Sequence, residues 1–105
     1  MRLSPRDPRT GLWHSYIGLA EFGQGRYDAA IDEYHKALDA GYRTSGTYLW
    51  LSAALALEGK MEEAKTAMME ARRLNPNHNL KQVIATWPNL PTLFEGLRKA
   101  GLPEE

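Results

Sequence analysis

Between residues 27 and 39 a set of small and apolar side chains, Ala30, Tyr34 and Ala37, recurs at helical spacing, and between 61 and 74 so do Ala64, Met68 and Ala71, with charged residues interspersed. Such spacings put each trio on one face of a helix. Alanines seven apart stand two turns from each other, so a neighbouring helix can approach closely while Tyr34 or Met68 fills the space between. The pattern predicts helices from about Thr10 to Phe22, Tyr27 to Asp39, Thr47 to Leu57 and Met61 to Leu74. Gly25 and Gly59 fall at the breaks, where a chain leaving a helix needs a left-handed residue. The stretch from Gly41 to Gly46 reads as a turn, and Asn75-Pro76-Asn77 closes the fourth helix because proline cannot continue one. Leu80, Val83, Ile84 and Trp87 form a further amphipathic stripe, cut short by Pro88. Leu93, Phe94 and Leu97 form a sixth after Pro91, with Arg98 and Lys99 near the end that favours cations and Gly101 and Pro103 beyond. No segment alternates as a strand would.

The pattern also repeats. Gly25 recurs as Gly59, Tyr27 as Met61, Ala30 as Ala64, Tyr34 as Met68 and Ala37 as Ala71, each 34 residues on. The upstream halves obey the same shift, with Ile17 answering to Leu51, Gly18 to Ser52 and Ala20 to Ala54. Two helical hairpins of equal length are therefore expected, in an all-α array of about six helices with a C-terminal capping helix.

In these residues the chain resembles the tetratricopeptide repeat family, whose unit is a helix–turn–helix of 34 residues. Ile17-Gly18, Gly25, Tyr27, Ala30, Tyr34 and Ala37 carry the likeness in the first unit, and Tyr48, Leu51, Ser52, Gly59, Ala64, Met68, Ala71 and Pro76 in the second. His14, Glu21 and Tyr42 depart from the family pattern. The resemblance implies one domain over 1–105, with repeats at 11–44 and 45–78 and a degenerate third helix pair or cap at 79–100. Leu3-Ser4-Pro5 resembles the close of an earlier repeat, as Leu74-Asn75-Pro76 closes the second, so the chain is expected to begin within a longer array. The tail from Glu95 to Glu104 resembles the C-terminus of bacterial proteins in which such repeats follow a class III adenylate/guanylate cyclase domain. A similar ending follows winged-helix domains in transcriptional regulators, and a stand-alone adaptor is the remaining alternative.

Family members bind partner segments on the concave face lined by the first helix of each hairpin. Carried onto this sequence, the candidate groove is Leu12, Ser15, Tyr16, Leu19 and Phe22 from the first unit with Leu49, Trp50 and Ala53 from the second, completed by Gly23, Gly46, Ala56 and Leu57. None of the twelve is the lysine, asparagine or arginine with which related repeats grip a chaperone's terminal carboxylate. The expected partner is an apolar or amphipathic protein segment, the parent's own catalytic domain included, with Tyr16 and Trp50 as anchors. Two other readings of the same apolar face stand beside it. The C-terminal helices could fold over it, or exposed Leu12, Trp13 and Ile17 could pair two copies, so either a monomer or a weak dimer is expected.

Composition narrows the chemistry. Thirteen basic residues balance thirteen acidic ones, so the general electrostatic pull on nucleic acid or anionic lipid is missing. There are no cysteines, which removes thiolate metal sites and cysteine nucleophiles and fits a cytoplasmic protein. His14, His35 and His78 lack the i, i+3 or i+4 spacing of a helical metal site. Glu62-Glu63 opens a helix, where carboxylates favour the dipole, and Gly23-Gln24-Gly25-Arg26 lacks the strand and the Gly-Lys-Ser/Thr ending of a phosphate loop. No serine sits in a nucleophile elbow. Neither catalytic residue, cofactor nor membrane segment is expected, and cyclase chemistry would belong to a separate domain of mixed α/β structure.

Overall fold

A computed structural model describes residues 8–77, 79–87 and 90–103, with side-chain surroundings from Thr10 onward. Leu3-Ser4-Pro5, His78, Pro88 and Glu104, on which part of the reading above rests, lie outside the described residues. The described chain is all helical: α1 (Pro8–Gly23), α2 (Tyr27–Asp39), α3 (Ser45–Leu57), α4 (Met61–Leu74), α5 (Leu80–Thr86) and α6 (Pro91–Ala100). It is an all-α helical-repeat array, as its periodicity predicts.

Helices α2 and α4 have the expected bounds, whereas α1 and α3 each start two residues early. For α3 the cause is a cap. Thr44 is extended, and its Oγ1 accepts the Thr47 backbone N–H at 3.1 Å, so Ser45 and Gly46 belong to the first turn of the helix. For α1 it is Pro8, tolerated at a first helical position because the missing N–H would find no partner there. Asn79 caps α5 in the same manner as Thr44, accepting from Gln82 N–H at 2.8 Å.

The ends of the hairpin helices are alike. Gly25 and Gly59 adopt φ of 78° and 81°, left-handed values that a side chain disfavours. Beyond them, Arg26 N–H donates to the Glu21 carbonyl and Lys60 N–H to the Leu55 carbonyl, both at 2.9 Å. Tyr42 to Ala37 and Leu102 to Leu97 repeat this six-residue closure at 3.0 Å. One turn device thus makes both hairpins and ends α2 and α6.

Helix α1 packs on α2 and α3 on α4, while α2 against α3 joins the hairpins. Ala30, Ala37, Ala64 and Ala71 are wholly buried, as close helix approach at those positions requires. The last helix does not simply extend the stack. Instead α6 lies chiefly on α3, reaches α4, and is braced by α5. Leu93 and Leu97 of α6 are fully buried, each contributing about 2 kcal/mol by removal from water. A backbone bond from Leu80 N–H to the Pro103 carbonyl at 2.8 Å ties the start of α5 to the tail after α6. The α5 stripe is covered only in part: Leu80 and Val83 are buried, but Ile84 and Trp87 are exposed. The molecule measures 41 × 27 × 27 Å.

Candidate partner-binding surface

Leu12, Ser15, Tyr16 and Leu19 share one face of α1 at i, i+3, i+4 and i+7, with Phe22 a turn further on. Leu12, Ser15 and Leu19 are half-buried and Tyr16 is 60% exposed. Alongside them Trp13 is 61% exposed and Ile17 41%, so α1 presents a stripe of large apolar side chains to solvent. The α3 members of the candidate groove are placed differently. Leu49 is 5% exposed and Ala53 not at all. Ala53 lies under α6, where a Cβ built on Gly96 would meet the Ala53 carbonyl oxygen at 2.7 Å. Gly46, Ala56 and Leu57, which complete the set on α3, are half-buried, buried and half-buried; Gly23, at the end of α1, is exposed.

Trp50 stands between the two regions. Its ring meets Phe22 edge-on at 5.1 Å and Trp87 edge-on at 5.8 Å, and Phe22 in turn meets Tyr27 at 5.2 Å. Edge-to-face pairs of this kind contribute about 0.5–1.5 kcal/mol each beyond their burial. The chain of rings therefore connects α1, α2, α3 and the residue after α5. Trp50 is half-buried within it, packed as a core side chain on two sides.

Polar side chains near α1 serve its packing. His14 Nδ1 lies 2.6 Å from Glu33 Oε2, a hydrogen-bonded link from α1 to α2, and Lys36 approaches the other Glu33 oxygen at 3.4 Å. Buried Ser52 donates to the Leu49 carbonyl at 2.6 Å within α3. Tyr34 is buried against α1, and desolvation pushes its hydroxyl above the usual phenol range. Among the described residues no three histidines, aspartates or glutamates are grouped so as to hold a metal ion. Nor is any described helix long and apolar enough to cross a membrane.

The seating of α6 on Ala53 accords with the reading in which the C-terminal helices fold over this face; periodicity did not fix where they land, although the sequence holds a trace of it. Gly96 sits inside an amphipathic stripe between Leu93 and Leu97, where glycine costs about 1 kcal/mol relative to alanine. A glycine inside a helical stripe leaves room for a neighbouring backbone to approach closely.

Neither the curated proteins nor the solved structures give a match to this chain. One family model does match, over residues 45–78, which hold α3, the Gly59 turn and α4. Its description is "Tetratricopeptide repeat", and the second hairpin is accordingly a repeat of the tetratricopeptide kind, a unit that in general mediates protein–protein contacts.

Proposed function

We propose that the chain is a noncatalytic protein-interaction module that docks an apolar or amphipathic segment along α1. The observation that supports this reading is the α1 stripe, in which Trp13, Tyr16 and Ile17 are exposed beside Leu12 and Leu19. Isolated exposed apolar residues need no explanation, but several adjoining ones on a single helix face are the usual mark of a contact surface. Tyrosine and tryptophan are the side chains that most often dominate binding energy. In this proposal Ser15 sits between the anchors, Phe22 and Trp50 bound the stripe at its α3 end, and Ala53 supports α6 from beneath, with Leu49 buried one turn earlier on α3.

The tail from Glu95 onward favours a place for the module after a bacterial adenylate/guanylate cyclase domain in the cytoplasm, as a regulatory region contacting its own parent. Reading the native gene upstream of the Met1 codon tests this directly. An in-frame cyclase domain is the expected result, whereas a winged-helix domain or a start site at Met1 would replace the cyclase assignment.

The docking surface is tested by substitution. Peptides tiled from the neighbouring domain are titrated onto the chain, and Tyr16→Ala is expected to weaken the tightest by at least about tenfold. Because Tyr16 is largely exposed, its melting temperature should stay close to that of the unsubstituted chain. Unchanged affinity in Tyr16→Ala would contradict an α1 docking surface.

A further inference from the structure

A cleft of about 400 Å³ opens between α2 and α4 over the flank of α3. None of its lining residues belongs to α1, α5 or α6, so it is separate both from the α1 stripe and from the seat of the tail. Leu38, Tyr48, Leu51, Leu55 and Ala67 give it an apolar floor and sides. A volume of this size is within the range of pockets that take a ligand group.

The rim decides which ligand fits. Glu63, Thr66, Ala67 and Glu70 fall at i, i+3, i+4 and i+7 on α4, with Glu62 beside them, so the α4 wall carries three carboxylates. Across the cleft α2 offers His35 and Leu38. Glu70 is engaged by Arg73 at 2.7 Å. Glu62 and Glu63 are exposed, and among the described residues no cation pairs with either carboxylate. Their place in the first turn of α4 accounts for negative charge there through the helix dipole, but not for its position over an open apolar cleft. A net charge of zero makes this a local concentration of acid rather than a property of the whole chain.

We propose that this cleft is a second docking site, and that it takes a basic amphipathic peptide segment of a partner protein. One aliphatic or aromatic side chain of the segment enters over Leu51 and Leu55, and lysines or arginines along its flank face Glu62 and Glu63. An acidic or uncharged amphipathic segment would fill the same cavity but leave those carboxylates unmatched, so charge sets the specificity while the apolar floor holds the anchor.

The test uses the full chain and a fluorescently labelled synthetic helix-forming peptide, with leucines on one face and arginines on one flank, against a copy in which glutamate replaces every arginine. The arginine peptide is expected to bind at least about tenfold more tightly and to weaken as salt is raised. Charge reversal in E62K/E63K should remove that preference, and E62Q/E63Q, which does not set lysines against the helix dipole, should reduce it by about threefold or more. In Tyr16→Ala, which removes the α1 anchor, the arginine peptide should still bind more tightly than its glutamate copy, which separates this site from the α1 surface. Equal binding of the two peptides, or an E62Q/E63Q affinity equal to that of the unsubstituted chain, would overturn the proposal. So would loss of that preference in Tyr16→Ala, which would assign the peptide to α1.

Discussion

Tyr34 is 1% exposed, and its ring lies so close to α1 that a Cβ on Gly18 would meet it at 2.7 Å. Its hydroxyl oxygen has no hydrogen-bond partner among the described residues. A buried polar atom without a partner costs about 1–3 kcal/mol, while the ring itself fills the space between Ala30 and Ala37. Tyr34→Phe keeps the ring and removes the oxygen. Its denaturation midpoint is therefore expected to equal or exceed that of the unsubstituted chain, and a loss of more than about 1 kcal/mol would contradict this view of the hydroxyl. Burial also gives Tyr34 a pH signature. In the folded chain desolvation raises its pKa above the unfolded value, so the folded state holds a proton that the unfolded state releases at high pH. The stability linked to that proton is complete below about pH 10 and falls as pH rises further. Unfolding followed from pH 8 to 11 should show a steeper alkaline loss in the unsubstituted chain than in Tyr34→Phe.

At the scale of elements the arrangement turns on α6. Placing alanine at Gly96 would favour the helix by about 1 kcal/mol if nothing else changed. However, the new Cβ would meet the Ala53 backbone oxygen at 2.7 Å, and a backbone atom can yield only if the helix moves. Gly96→Ala is therefore expected to destabilise the chain by about 1–3 kcal/mol, with altered tryptophan fluorescence as Trp87 shifts on Trp50. A more stable Gly96→Ala variant would show that α6 does not sit so close. The helices themselves were legible because their patterns stop at strong punctuation: glycine at 25 and 59, and proline at 76. The starts of α1 and α3 were less so, since Pro8 sits at a permitted first position and the Thr44 cap lies inside a stretch that otherwise reads as turn. The α1 stripe was legible through the repeat resemblance, whose groove positions fall on Leu12, Tyr16 and Leu19 along one helix. Where α6 lands depends instead on two segments far apart in the chain, and no local pattern encodes that meeting. Carboxylates at 62 and 63 show the same limit, because the dipole explains them fully until Leu51 and Leu55 are found beside them.

On the scale of the molecule, the face lined by α1 and α3 is divided. Over α3 it is closed by the chain's own last helix, which buries Ala53 and seats Leu93 and Leu97 in the core. Over α1 it remains open, with Trp13, Tyr16 and Ile17 toward solvent. On the docking reading proposed above, this division directs a partner to α1; it also gives the final hairpin a structural purpose, since a short repeat stack buries too little surface without a cap. The most direct test is a nuclear Overhauser measurement on the intact, isotope-labelled chain. A strong cross-peak between the Gly96 α-protons and the Ala53 methyl is expected, because a Cβ at Gly96 would lie 3.1 Å from that carbon, together with slow amide exchange along α3. Absence of the cross-peak, with Ala53 exchanging as rapidly as an exposed helix position, would mean that α6 leaves α3 uncovered and would contradict the division of the face.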